Sequence, residues 1–324
     1  MIPVVDIPRA PIGDVFSDAV DWMTQNWSAA FQAIDSGVQF MVDGLTDLLV
    51  QPPLLLVVLL LAVIAAGLRR WIHGGIALVA VVVTALLAGP QLVLVAFLAG
   101  LALIVRSWRF ALFSAAALLL VIGMEQWDNA VHTLALILVA SVIAIILAVP
   151  LGILAGRSTV ASQIIRPVMD FMQTMPAFVY LIPAVMFFSI GVVPGVIATV
   201  VFSMPPGVRL TELGIRGVDP ELVEAGHAFG ATDRAVLLGI QIPLAMRSIL
   251  AGINQVIMLA LSMVVIAGMV GAGGLGGAVF EAITRLNIGL GFESGLAVVI
   301  LAIYLDRLTS AIGERSAVAR ATGS

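Results

Sequence analysis

An all-α integral membrane protein, a polytopic bundle of about nine transmembrane helices, is the fold class this sequence predicts, and three observations predict it. Hydrophobic residues make up 61% of the 324 positions, charged residues only 10%, and mean hydropathy is +1.17. A soluble chain of that length could not cover its surface with so little charge. Apolar runs approaching the roughly 20 residues of a hydrocarbon core recur along the chain. Cationic residues cluster in the short connections between those runs. There is no cysteine, hence no disulfide framework or thiolate chemistry. There is no lysine either, since all 15 basic residues are arginine. A Walker A phosphate loop needs a lysine, so any ATP that drives this protein is hydrolysed on another chain.

Residues 1–51 carry Asp6, Asp14, Asp18, Asp21, Asp35, Asp43 and Asp47 against a single Arg9. Phe16, Val20, Met23, Trp27, Phe31, Ile34, Val38, Met41, Leu45 and Leu48 recur at spacings of three and four, one face of a helix. The segment lacks the basic start and apolar core of a signal peptide. It reads as an extracytoplasmic amphipathic region lying on the membrane or packed on the bundle. Spans follow at roughly 52–68, 74–89, 91–105, 110–124, 131–154, 176–190, 194–210, 246–269 and 294–312. Those within 52–125 form an additional set, 126–312 forms the core with a cytoplasmic loop over 211–245, and 313–324 is a cytoplasmic tail. Nine spans place every arginine inside except Arg9 and Arg285, with the N-terminus outside and the C-terminus inside. Merging 71–105 into one span would put Arg106 and Arg109 beside the acidic Glu125 and Asp128. Breaks in the apolar runs at Pro150, Pro176, Pro183, Pro194, Pro205 and Pro206 concentrate in 150–206, where a translocation path is expected.

The polar interruption at 219–243 is the most informative stretch. Asp219 can cap a helix that begins with Pro220, and Glu221 favours its positive end. Gly230 can close that helix, Thr232 can cap the next, and Pro243 sets where the following span begins. Glu224-Ala225-Gly226, Gly230 and Ile240-Gln241-Ile242-Pro243 together resemble the EAA signature of ABC importer permeases. Gly226 stands where that signature usually has its second alanine, and Ile242 where it has leucine. Longer segments are similar to the glycine betaine/L-proline branch, above all Gln173-Thr174-Met175-Pro176-Ala177-Phe178-Val179-Tyr180 and Leu261-Ser262-Met263-Val264-Val265-Ile266-Ala267.

That resemblance, over 115–312, implies the type I ABC importer permease fold in the cell membrane of a prokaryote. It implies a permease that catalyses nothing and binds no cofactor, with ATP and magnesium on a separate ABC ATPase. It also implies an extracytoplasmic substrate-binding protein and a homodimer of this chain in the lipid bilayer, without nucleic acid. Glu221, Glu224, Ala225, Gly226, Phe229, Gly230, Ile240 and Pro243 are the expected ATPase-coupling residues. Met175, Pro176, Phe178, Tyr180, Pro205, Pro206, Ser262 and Met263 are expected along the path. The cargo is glycine betaine, proline or a related compatible solute; choline, carnitine or another small solute is the sibling alternative.

Other constellations carry less. His73, His132 and His227 are too scattered for a metal site. Gly271-Ala272-Gly273-Gly274-Leu275-Gly276-Gly277 lacks the lysine of a phosphate cradle and reads as a flexible or re-entrant external turn. Glu281, Arg285 and Glu293 beyond it are either a docking surface or a solvated face. Asp170, Glu212 and Asp306 flank spans, with Asp306 expected to pair with Arg307. The absence of convincing midplane charges weakens an ion-coupled secondary transporter, and only the acidic N-terminal region suggests a scaffold or sensor. Tyrosine is limited to Tyr180 and Tyr304, so no quaternary-ammonium cage is expected in this chain.

Overall fold

The computed structural model describes residues 12–51 and 89–321. The expected span 52–68, all of 74–88, and the ends of both tails lie outside the described residues. Among the described residues every regular element is helical.

Helices α1 (Ile12–Asn26) and α2 (Ser28–Val50) meet at Trp27. Val38 and Val42 of α2 are buried in the main core, with Leu45 and Leu49 packed behind them. The expected apolar stripe is only half used: Trp27, Ile34 and Met41 stay exposed. The region therefore packs on the bundle through a face rotated towards Val42. Gly89, at φ 84°, leads into Pro90, which opens α3 (Pro90–Val105). A tight turn at Arg106 and Ser107 brings in α4 (Trp108–Gly123), whose first turn Ser107 caps by accepting from the Phe110 amide at 3.3 Å. These two helices coincide in position with the expected spans 91–105 and 110–124, but at 16 residues each they are shorter than the helices long enough to cross a membrane. Tyr304 anchors them, donating its hydroxyl to the Leu98 carbonyl at 2.9 Å and stacking on Phe110 at 6.1 Å.

The centre of the molecule is a trio of long helices. They are α5 (Trp127–Arg157), α8 (Val192–Arg216) and α11 (Ile242–Ala267). Lipid is as apolar as leucine, so close packing and not hydrophobicity drives their association. Small residues make it possible. A Cβ on Gly152 would lie 2.5 Å from Cβ of Thr211, and one on Gly156, a turn later, 2.8 Å from Cβ of Ile215. On the opposite flank of α8, a Cβ on Gly252 would lie 3.4 Å from the Gly207 backbone. The prolines do not break these helices. Pro150, Pro205 and Pro206 sit inside continuous helix, and Pro194 falls in the first turn of α8, where its missing N–H costs nothing. Neighbouring helices shield the freed carbonyls, so the cluster marks no break except at Pro176.

That one break is sharp. Helices α6 (Thr159–Thr174) and α7 (Ala177–Phe188) are bent by 100° about Met175-Pro176. Met175 takes the extended conformation (φ −73°, ψ 135°) that a following proline demands. The Tyr180 hydroxyl donates to the Met172 carbonyl across the bend. The 12 residues of α7 reach only about 18 Å, too short for a hydrocarbon core. The expected span 176–190 is thus one arm of a broken or re-entrant element that begins at Thr159.

The span expected at 246–269 also differs. It belongs to a continuous 38-residue helix, Asp233–Val270, made of α10 (Asp233–Val236), a π turn at Leu237–Gln241, α11 and a 3₁₀ turn at Gly268–Val270. Pro243 therefore starts nothing. The widened π turn ahead of it accommodates a residue with no N–H and a ring that would press on the preceding turn.

The chain ends with α12 (Gly274–Thr284) and α13 (Ile288–Ala321), the latter running through most of the expected tail. The glycine-rich turn before α12 is packed, not loose. A Cβ on Gly268 would fall 2.1 Å from the Gly276 backbone, and the Leu275 amide donates to Thr133 at 2.8 Å. The packing excludes the flexible one of the two expected forms. Asp306 faces α11, accepting from Asn254 at 3.4 Å in place of the expected pair with Arg307. Among the described residues four helices are long and apolar enough to cross a membrane, and five if α6 and α7 count as one span.

Candidate functional site

Helix α9 (Pro220–Ala228) stands out because none of its residues is buried. Its ends are nevertheless well defined. Asp219 accepts from the Glu221 amide at 3.0 Å, Pro220 occupies the first turn, and Glu221 lies at the positive end of the helix. At the other end Gly230 adopts φ 81°. Its amide donates to the His227 carbonyl at 2.9 Å, and the Ala231 amide to the Gly226 carbonyl at 3.1 Å. This is a Schellman closure, which satisfies two carbonyls that the helix leaves orphaned. Thr232 then caps α10 by accepting from the Ala235 amide at 3.3 Å.

The apolar face of this segment fastens it to the bundle. Val223, Leu237, Ile240 and Ile242 pack on buried Ile215, Val218, Ala245 and Ile249. The tip of Ile240 reaches where a Gly226 methyl would sit, with a would-be separation of 2.9 Å, so Ile240 fills the space that the usual alanine would take. Glu221, Glu224, Ala225 and Gly230 are exposed, and Phe229 is 92% exposed. Pro243 follows the π turn and is half-buried. The candidate docking set thus divides: Ile240 and Gly226 lock the knob, while Glu221, Glu224, Ala225 and Phe229 present it. His227 is exposed and 3.9 Å from Asp233, which also lies 3.9 Å from Arg157. Such solvent-exposed pairs contribute little.

Behind the knob sits a group that sequence reasoning treated as a mere flank. Glu212 is 3% exposed. Its carboxylate accepts from Ser162 at 2.7 Å, Arg166 at 2.9 Å and Arg216 at 2.9 Å. Arg216 also donates to the Ala155 carbonyl at 2.8 Å. One buried carboxylate therefore ties α5, α6 and α8 together where α9 begins. The available signal was Arg216, four residues after an acid inside an otherwise apolar run. Arg209 pairs with Asp170 beside it. Arg157, Arg166, Arg209, Arg216, Arg234 and Arg247 all belong to this end of the bundle, and Arg285 to the opposite end, where it pairs with Glu281 at 2.6 Å.

The expected path residues scatter around the broken span. Tyr180 and Met263 are buried in a cluster with Leu181, Ala184 and Ala198, against which Met175 packs. Pro176 is the pivot of the bend. Phe178 and Ser262 are exposed, Pro205 is buried in α8, and Pro206 is half-buried. At the far end of α7, Ser189 is held at φ 62°, ψ −177°, a conformation otherwise reserved for glycine. Among the described residues no group of histidine and carboxylate side chains could hold a metal ion.

Comparisons with known proteins agree with this architecture. Residues 148–316 match the family described as binding-protein-dependent transport system inner membrane component. The chain is 43% identical over 306 residues to the glycine betaine transport system permease protein OpuAB of Bacillus subtilis, covering 94% of this chain and 95% of that one. It is 53% identical to the glycine betaine/carnitine transport permease protein GbuB of Listeria monocytogenes, over 65% of this chain and 75% of that one. It is 40% identical to the glycine betaine/proline betaine transport system permease protein ProW of Escherichia coli, over 94% and 76%. Among solved structures, an inward-facing form of the MetNI methionine ABC transporter superposes with a TM-score of 0.55 at 19% identity, over 59% of this chain and 95% of that one.

Proposed function

Because the chain belongs to the family of binding-protein-dependent transport system inner membrane components, we propose that it forms the membrane-spanning part of an ATP-driven importer for glycine betaine or a related quaternary-ammonium solute. The observation that carries this reading is the capped, exposed knob of α9, with Phe229 at its tip, on the arginine-rich end of the bundle. Excess arginine identifies the cytoplasmic side, so the knob faces the compartment that holds ATP. The small exposed side chain of Ala225 lets a partner surface approach the α9 backbone closely. A separate ATPase subunit, carrying ATP and magnesium, engages the knob. Its closure shifts α9 and the bundle behind it between two arrangements of the broken span α6–α7. An external binding protein delivers cargo at the opposite end, and two copies of this chain enclose the path. The similarity to glycine betaine permeases supports the choice of cargo.

The test is uptake of radiolabelled glycine betaine in cells stripped of their own uptake systems and supplied with this chain, its ATPase and its binding protein. Uptake that stops on ATP depletion and survives an ionophore is expected. Uptake without any ATPase, abolished by the ionophore, would overturn the reading.

A further inference from the structure

A cavity of about 260 Å³ opens between α2 and the turn joining α7 to α8, lined by Ser28, Phe31, Asp35, Phe187, Phe188 and Ser189 among others. We propose that this corner is a receiving site for the trimethylammonium end of the cargo, a proposal that rests on the quaternary-ammonium reading above.

The geometry of the rings is the first support. Phe31 stacks on Phe187 at 4.6 Å, while Phe188 stands edge-on to Phe31 at 5.6 Å and 89°. Stacking uses up one face of Phe31, and Phe188 stands at a right angle to that ring. Two mutually perpendicular aromatic walls form the corner into which a compact cation fits, attracted by the negative ring faces. Asp35 is the second support. It lies one helical turn beyond Phe31 on the same face of α2 and is half-buried. Among the described residues no arginine or histidine pairs with it. A half-buried carboxylate beside aromatic faces selects a cation over a neutral isostere. The Ser28 and Ser189 hydroxyls on the rim can donate to the carboxylate of a zwitterion. A volume below the roughly 300–1,000 Å³ typical of drug-sized ligands suits a solute of this size.

Position is the third support. The Gly191 amide donates to the Val270 carbonyl at 3.1 Å, so the cavity shares an end with the far tip of the 233–270 helix. That end is opposite α9, where a binding protein would release its ligand. Ser189, the strained residue, forms part of the wall.

The experiment uses the full-length protein in lipid nanodiscs of phosphatidylglycerol, free of choline lipids, with tetramethylammonium as the probe. Saturation-transfer NMR on its methyl signal gives the affinity, with 3,3-dimethyl-1-butanol as an uncharged control. Native protein is expected to bind tetramethylammonium saturably and the alcohol poorly. Asp35→Asn and Phe31→Ala should each weaken binding about tenfold, and Phe31→Tyr should restore it. Asp35→Asn is close to isosteric, so its effect stands even where Phe31→Ala disturbs α2. Equal binding by the native protein and both variants, or no binding at all, overturns the proposal. Loss of the signal in phosphatidylcholine discs assigns the site to a lipid headgroup and also overturns it. Radiolabelled glycine betaine uptake, run in parallel, separates the two readings: native uptake with no effect of Asp35→Asn on KM rejects only the receiving site, whereas no native uptake rejects the cargo.

Discussion

Replacing Gly230 tests the mechanical core of the proposed function, because the structure separates what each substitution would do. No atom lies within 4 Å of a Cβ built on Gly230, so an alanine there meets no steric obstacle. Its cost is the backbone alone: holding a non-glycine residue at φ 81° costs about 1–2 kcal/mol, or roughly 5–30-fold in the turn's closing equilibrium. Asparagine tolerates this conformation better and should cost less. Proline is different in kind. Its ring fixes φ near −65°, it removes the amide that donates to His227, and that bond alone contributes about 1 kcal/mol. It also expels the preceding residue from helical geometry, and Phe229 sits at φ −81°, ψ 8°. The exposed phenyl ring would be re-aimed and the turn could not close. The assay is the initial rate of ATP-dependent glycine betaine uptake, normalised to the amount of protein in the membrane. The expected order is glycine, asparagine, alanine and then proline, with alanine reduced by no more than about 30-fold and proline without activity at normal membrane abundance. Native uptake by Gly230→Pro would refute the reasoning. Equal losses in Asn, Ala and Pro would show that the turn's geometry is not what matters.

Gly226→Ala is expected to change uptake by less than about threefold, since the flexible tip of Ile240 must move and Val236 must give by a few tenths of an ångström, against a helix gain of about 1 kcal/mol of propensity; a larger loss would show that the Gly226 surroundings cannot adjust. Gly152→Ala should destabilise the α5–α8 crossing by about 1–3 kcal/mol, because Thr211 Cβ and the Val208 carbonyl leave no room. A melting temperature in detergent equal to the native value would contradict that crossing. Glu212→Gln should weaken the join between α5, α6 and α8, seen as faster amide exchange in 159–174 with α3 and α4 unaffected; unchanged exchange there would remove Glu212 as the tie.

The core was legible from the sequence because long apolar runs constrain helices strongly. The α9 caps at Asp219, Gly230 and Thr232 were legible too, since capping chemistry is local. Local signals misled where tertiary packing decides. Pro205 and Pro206 look like breaks in isolation, yet α8 stays continuous between α5 and α11. Pro243 looks like a start, yet a π turn carries the helix through it. The glycine run at 271–277 left a flexible turn open as one of two forms, whereas Gly268 and Gly276 bring two backbones into contact. Contacts between distant segments were out of reach. Nothing in the local pattern places Phe31 against Phe187, and counting tyrosine left phenylalanine out of the search for an aromatic corner.

The continuity of residues 233–270 gives the molecule a lever. Its 38 residues span about 57 Å, from beside the exposed knob to the carbonyl of Val270. A tilt of about 5° at one tip would sweep the other by roughly 5 Å, on the simple geometry of a rod of that length. The π turn near its base is a natural fulcrum, already wider than ordinary helix and able to absorb rotation without losing its ladder. Motion imposed at the knob end would thus arrive, enlarged, at the opposite end, with no relay of small side-chain shifts in between.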